Sequence, residues 1–153
     1  METLDCYTGI VKPSSSCVIS SCCVPILGNL EREVVKTTTP GDELELVCIH
    51  RVLASLSLTN AHLTGEFLPA FKAINIFTSS KYITRLLAKK KVDVGEMGHR
   101  IATDLSRVLV DGLHGKPVSI LYIPKSKNFA YKRYADIPFK QLVGGMVNAS
   151  SNR

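Results

Sequence analysis

The 153-residue chain contains no tryptophan, and its aromatic content rests on five Phe and five Tyr. No apolar run approaches the roughly eighteen residues that a membrane-spanning helix needs, so none is expected. Met1 to Lys12 holds Glu2 and Asp5 against one cation, and the apolar stretch Cys17–Gly28 is broken by Ser20, Ser21 and Pro25. A secretory signal wants a basic start before its apolar run, so secretion is not expected. Met1-Glu2 excludes N-myristoylation. Ten Gly and seven Pro exclude collagen-like and Pro-rich chains. No internal repeat is visible.

Catalytic and metal signatures are missing as well. Gly144-Gly145 lacks the Lys-Ser/Thr of a phosphate-binding loop, and no Gly-x-Ser-x-Gly or Cys-Gly nucleophile context occurs. Cys17, Cys22 and Cys23 form one cluster, but no second Cys/His pair follows at zinc-finger spacing. His50, His62, His99 and His114 are scattered. No metal, cofactor or catalytic residue is therefore expected. The five cysteines, Cys6, Cys17, Cys22, Cys23 and Cys48, are odd in number, and four lie within the first 23 residues. They read as reduced thiols of a cytosolic or nuclear protein.

Hydrophobic residues make up 45% of the chain and charged residues 21%, so one compact core is affordable and global disorder is excluded. The net charge of +6 conceals an asymmetry. Residues 1–70 carry eight acidic and four basic side chains; residues 71–153 carry five acidic and fifteen basic ones. A weakly acidic segment is joined to a strongly basic one, which points to an anionic partner.

Residues 1–28 lack a clean period and contain Pro13 before Ser14-Ser15-Ser16, which predicts a loosely ordered, flexible N-terminal arm ahead of a domain spanning 29–153. Glu31–Thr39 is β-prone, and Pro40-Gly41-Asp42 reads as a turn. Over Glu43–Leu58, Leu44, Leu46, Cys48, Val52, Ala54, Leu56 and Leu58 share one parity, which predicts a long strand. Thr59–Gly65 reads as a loop. Phe67, Leu68, Phe71 and Ile74 recur at three and four, as do Tyr82, Ile83, Leu86 and Leu87. Two helices are predicted there, divided by Thr78-Ser79-Ser80, with a Ser/Thr cap on the second. Asp93 to Glu96 has capping-box spacing ahead of a third helix that ends at Gly112. Pro117–Ile123 alternates as a strand, Phe129–Tyr134 as a basic edge strand, and Ile137–Val147 is an apolar tail. The order implies a single α+β domain, a mainly antiparallel sheet packed with two or three helices.

The basic residues carry the functional information. Lys81, Arg85 and Lys89 recur every four residues, Lys90 and Lys91 extend them, and no acid lies between Glu66 and Asp93. Like charges at that spacing repel. The next helix, by contrast, alternates signs at Arg100, Asp104, Arg107 and Asp111. A solvated helix end suits Lys89–Lys91 and explains Lys81 poorly. The second basic segment mixes Lys125, Lys127, Lys132 and Arg133 with Phe129, Tyr131 and Tyr134. Cations hold phosphates or anionic lipid heads, and aromatic faces stack bases. An edge strand with core-facing aromatics is the plainer account of the same pattern.

The alternation of Glu43–Leu58, the turn Thr59–Gly65, the helix Phe67–Ile74 and the strand Pro117–Ile123 behind an arm resemble the matrix proteins of rhabdoviruses, plant ones included. The resemblance covers about residues 30–135 through element order, size and basic charge. The Pro-Pro-x-Tyr budding signal of some members is absent, and Tyr134-Ala135-Asp136-Ile137 is only a generic match. The resemblance implies a non-enzymatic, self-associating protein of the virion or host cytoplasm that bridges ribonucleoprotein and an anionic membrane surface. The expectation is RNA or ribonucleoprotein binding through Lys81, Arg85, Lys89, Lys90, Lys91, Lys125, Lys127, Phe129, Tyr131, Lys132 and Arg133. The alternatives are a small plant-virus silencing suppressor or movement-type accessory protein, and a small enzyme without a local signature.

Overall fold

The computed structural model describes residues 2–14, 17–27, 29–36, 41–89 and 96–131. Five strands, β1 (Glu2–Ser14), β2 (Cys17–Val24), β3 (Asn29–Lys36), β4 (Phe71–Thr78) and β5 (Val118–Tyr122), form one sheet in the order β3-β2-β1-β4-β5. β1–β2 and β2–β3 are antiparallel, whereas β1–β4 and β4–β5 are parallel. The sheet is thus mixed, not mainly antiparallel. Parallel neighbours need crossovers, and helices supply them here. α1 (Gly41–His62) precedes β4; α2 (Lys81–Lys89) and α3 (Glu96–Asp111) lie between β4 and β5. A single α+β domain with three α-helices among the described residues is the result.

The core lies between one face of the sheet and the helices. Leu4, Cys6, Ile74, Ile76 and Val118 meet Leu46, Ile49, Val52, Leu53 and Leu56 of α1, Ile83 and Leu87 of α2, and Ala102 and Leu105 of α3. Each Leu or Ile fully removed from water contributes about 1.5–3 kcal/mol. A second, smaller cluster on the other face joins Tyr7, Cys23 and Ala130 with Phe77 and Ile123.

Several elements depart from the sequence reading. The segment expected to be a flexible arm forms β1 and β2, and β1 lies at the centre of the sheet. Its residues are covered on both faces, so no alternation marked it. The long strand expected over Glu43–Leu58 is α1. Leu46, Ile49, Leu53, Leu56 and Asn60 are buried at intervals of three and four, the period of one helix face. Apolar residues fill both parities of this stretch, so each period fits locally. Gly41 opens α1, with Asp42 and Glu43 in its first turn, so these residues start a helix rather than complete a turn between strands. Conversely, the helix expected over Phe67–Ile74 is a short turn, Leu68–Ala70, followed by β4, whose Phe71, Ile74, Ile76 and Thr78 are buried.

α2, α3, β3 and β5 arise where the pattern placed them. The Ser80 hydroxyl caps α2 by accepting from the Ile83 N–H at 3.2 Å. Gly112 ends α3 with φ +79, and a Cβ there would stand 2.5 Å from the Lys116 carbonyl oxygen, so only glycine closes this turn. Residues 129–131 begin a helical turn instead of the basic edge strand expected over Phe129–Tyr134. The capping box at Asp93 and the apolar tail Ile137–Val147 lie outside the described residues.

Candidate functional site

Thr78 ends β4 and Thr8 lies midway along β1, each one step beyond Tyr7 and Phe77, the last residues at which the two parallel strands pair. Thr8 shares its parity with Leu4 and Cys6 and so faces α1. Both threonines donate to the same oxygen, Oε1 of Glu45 on α1, at 2.7 Å from Thr8 and 2.6 Å from Thr78. Glu45 is 4% exposed and both threonines 0%. Charge-assisted bonds of this kind are what makes burying a carboxylate tolerable. The position of Glu45 near the N-terminal end of α1 helps, because the helix dipole is positive there.

Asn128 completes the cluster from the far end of the chain. Its amide donates to the Thr8 carbonyl at 2.9 Å and to the Ser79 hydroxyl at 3.1 Å, while its Oδ1 accepts from the Ala130 N–H at 3.0 Å. Ser79 in turn donates to the Ile123 carbonyl at 2.6 Å. β1, β4, α1 and the segment after β5 are thereby knotted at one end of the sheet.

Above this knot opens a cleft of about 730 Å³, lined by Ile10, Val11, Lys12, Glu45, Ser79, Ser80, Lys125 and Tyr131. In open α/β sheets the crevice beyond the strand ends is the usual ligand position. Lys12 and Lys125 are exposed on its walls, and the Lys125 ammonium lies 5.3 Å from the centre of the Tyr131 ring. The Tyr131 hydroxyl donates to the Ile10 carbonyl and accepts from the Ile10 N–H, each at 3.1 Å. Burial, the largest influence, raises the Tyr131 phenol above its ordinary 10.0, so it stays neutral at physiological pH.

Of the basic residues singled out from sequence, Lys125 enters the cleft. Lys81 starts α2 beside it, with its ammonium 5.3 Å from the centre of the Tyr122 ring. Lys81, Arg85 and Lys127 are exposed, and Lys89 closes α2. Among the described residues no carboxylate lies within ion-pair distance of Lys12, Lys81 or Lys125. Lys90, Lys91, Lys132 and Arg133 lie outside the described residues. Phe129 is 43% exposed and meets the Tyr7 ring edge-on at 5.0 Å, across the sheet from the Glu45 side. With residues 129–131 helical, Phe129 and Tyr131 do not share the strand face expected of them, and Arg133 lies outside the described residues.

Sequence reasoning missed Lys12, Thr8, Glu45, Thr78 and Asn128. No motif joins them, since the cluster spans 120 positions. The readable signal was the helix start at Pro40-Gly41-Asp42-Glu43, which would have put Glu45 on a helix face among buried neighbours. Four of the cysteines are packing groups: Cys6, Cys22, Cys23 and Cys48 are buried. Burial, reinforced by Asp5, pushes the Cys6 thiol up to about 12, which removes it as a nucleophile.

No family model and no curated protein matches the chain. Solved structures do resemble it. The ribonuclease H1 of the halophilic archaeon Halobacterium salinarum NRC-1 superposes with a TM-score of 0.54 at 14% identity, covering 86% of this chain and 92% of that one. LC11-RNase H1, isolated from compost by a metagenomic approach, superposes with a TM-score of 0.60 at 14% identity, covering 95% and 99%. The fold is that of ribonuclease H1.

This likeness overturns the matrix-protein resemblance. That resemblance relied on a strand at Glu43–Leu58 and a helix at Phe67–Ile74, which are a helix and, in large part, a strand. The viral structural role falls with it, and so does the expectation of a non-enzymatic protein, because both matching structures are ribonucleases. The small-enzyme alternative agrees better with these neighbours. Neither structure lends support to membrane bridging or self-association. Among the described residues no helix is long and apolar enough to cross a membrane.

Proposed function

We propose that this chain engages RNA-containing duplexes, RNA–DNA hybrids foremost, at the Glu45 cleft. The observation that carries the reading is the cleft itself, in which Lys12 and Lys125 flank a polar floor of Glu45, Ser79 and Ser80 at the end of a parallel strand pair. Backbone phosphates would meet Lys12 and Lys125 on the cleft walls and Lys81 at its edge. Arg85, Lys89 and Lys127 would extend the contact along the duplex, with Lys90, Lys91, Lys132 and Arg133 as further cations of the same segments. Tyr131 serves as a wall, because its hydroxyl is tied to Ile10 and its ring carries Lys125. The likeness to two ribonucleases supports RNA as the substrate class, and the small-enzyme alternative has its candidate site here.

Fluorescence anisotropy with a short labelled RNA–DNA hybrid, across a salt series, tests this. Each phosphate contact contributes roughly 0.9 to the slope of log affinity against log salt, so Lys12→Ala/Lys125→Ala is expected to flatten it by about 2 and to weaken binding at least tenfold. A hybrid that does not bind at low salt, or binds the double variant as tightly as the wild type, overturns the reading.

A further inference from the structure

Nucleases of many folds hydrolyse phosphodiesters with paired divalent ions, about 3.5–4 Å apart, that clamp the attacking and leaving oxygens. Such ions are hard cations, and their protein ligands are chiefly carboxylates. The ribonuclease H1 fold therefore raises the question of whether this cleft is built to hold them. Its donor set argues otherwise. Glu45 is the one carboxylate of the cluster; the neutral Thr8 and Thr78 both donate to it, and Asn128 is bonded to the Thr8 backbone. Both threonine hydroxyls spend their protons on Glu45 Oε1, and the Asn128 amide points its N–H groups at oxygens. Hydroxyl and amide protons aimed at an oxygen do the work a cation would do there, and they repel one.

The nearest acid on β1 does not help. Asp5 has the opposite parity to Thr8, and its Oδ1 accepts from Thr3 at 3.2 Å and from Asn75 at 3.3 Å. Among the described residues no three His, Cys, Asp or Glu side chains come together in a way that could hold a metal ion.

We infer that Thr8, Glu45, Thr78 and Asn128 form a closed hydrogen-bond lock rather than a divalent-metal centre, so two-ion hydrolysis is not the chemistry of this cleft. The inference deepens the duplex reading by saying what the site does without, and it has its own readout. The lock ties β1, β4 and α1 together through fixed protons. It leaves Lys12, Lys125 and Lys81 as the positive charge available to a phosphate backbone. The two threonines are the deciding side chains, since each stands within hydrogen-bond reach of Glu45 and a carboxylate at either place would supply the missing anionic ligand.

Mn²⁺ titration followed by electron paramagnetic resonance, with thermal melts in Mn²⁺ and in EDTA, tests the lock without any nucleic acid. The wild type is expected to show no saturable Mn²⁺ binding at or below about 1 mM, and equal melting points in Mn²⁺ and EDTA. Thr8→Asp/Thr78→Asp is expected to bind Mn²⁺ at least tenfold more tightly and to melt higher in Mn²⁺ than in EDTA. Should that variant fail to fold, Glu45→Gln decides: its Mn²⁺ titration must match that of the wild type. Saturable wild-type binding that Glu45→Gln abolishes overturns the inference. So does Mg²⁺-dependent cleavage of a hybrid that Glu45→Gln abolishes. Hybrid binding that persists in EDTA supports lock and duplex reading together. Loss of hybrid binding in EDTA sinks the lock alone, whereas no hybrid binding in either buffer sinks the duplex reading and leaves the Mn²⁺ result standing.

Discussion

The side-chain amide of Asn128 donates to the backbone carbonyl of Thr8 across 120 positions of sequence, at 2.9 Å and with both residues fully buried. This bond fastens the segment after β5 to the central strand. The same side chain also supports Ser79 at the end of β4 and opens the helical turn at 129–131. Few single side chains here reach so many elements.

Asn128→Ala removes three hydrogen bonds of a fully buried side chain. A buried polar group left unpaired costs about 1–3 kcal/mol, so the urea midpoint is expected to fall by that order without a change in slope. Asn128→Asp keeps the acceptor for Ala130 but loses both amide donors and places a second carboxyl beside Glu45. It is expected to be at least as destabilised at neutral pH. Wild-type midpoints for both variants would mean that the lock is not formed in solution.

Gly9 is held open by an aromatic ring rather than by backbone torsion. A Cβ at Gly9 would stand 2.9 Å from Cε2 and 3.1 Å from Cζ of Tyr131. The ring cannot retreat without breaking its hydroxyl bonds to Ile10. Gly9→Ala is therefore expected to cost about 1–3 kcal/mol, the usual price of overpacking. In the Tyr131→Ala background the Ala130 Cβ, 3.2 Å away, still crowds the site, and the same change is expected to cost less than in the wild type. A double-mutant cycle by chemical denaturation reads the coupling, and strict additivity would show that the ring lies elsewhere.

Alkaline pH is expected to unfold the chain through its buried thiols. Cys6 ionises at an ordinary 9.0 when exposed and at about 12 in the fold, chiefly because burial disfavours the thiolate and then because Asp5 stands near. Cys48 is shifted the same way, again mainly by burial and next by Glu45. For a group raised in the folded state, the stabilisation is complete below the unfolded value and is lost as pH climbs toward the folded one. Urea midpoints are thus expected to hold from pH 7 to about 9 and to fall between about 9 and 12. Cys6→Ala lowers stability at pH 7 by leaving a cavity, yet flattens the alkaline fall. An unchanged fall in that variant would exclude Cys6 as its cause.

Legibility from sequence followed periodicity. α3 was readable because Ile101, Leu105 and Val108 lie along one stripe, with Gly112 the only residue type that closes it. β5 was readable because it alternates. α1 was misread because Leu44, Leu46, Val47, Ile49, Val52 and Leu53 satisfy both periods over short windows. β4 was misread because Phe67, Leu68, Phe71 and Ile74 imitate a helical stripe across what is a turn and the start of a strand. β1 carried no pattern, since a central strand covered on both faces has none to show. In the site, Lys81 and Lys125 were visible as charge, and Lys125 proved to line the cleft. Lys12 was passed over as the lone cation of an acidic segment.

Sequence alone determined the charge asymmetry, the one-domain size, the α+β class, the helix at Lys81 with its Ser80 cap, and the lack of any apolar run long enough to span a membrane. These are properties of composition and of neighbours a few positions apart. Tertiary structure alone decided that Glu45 would be buried, that Thr8 and Thr78 would both give it their protons, and that Lys12 would join Lys125 across a cleft. Those relationships link residues 33 to 120 positions apart, and no local pattern encodes them. They come into being only when β1 is laid between β2 and β4 and α1 is packed across it.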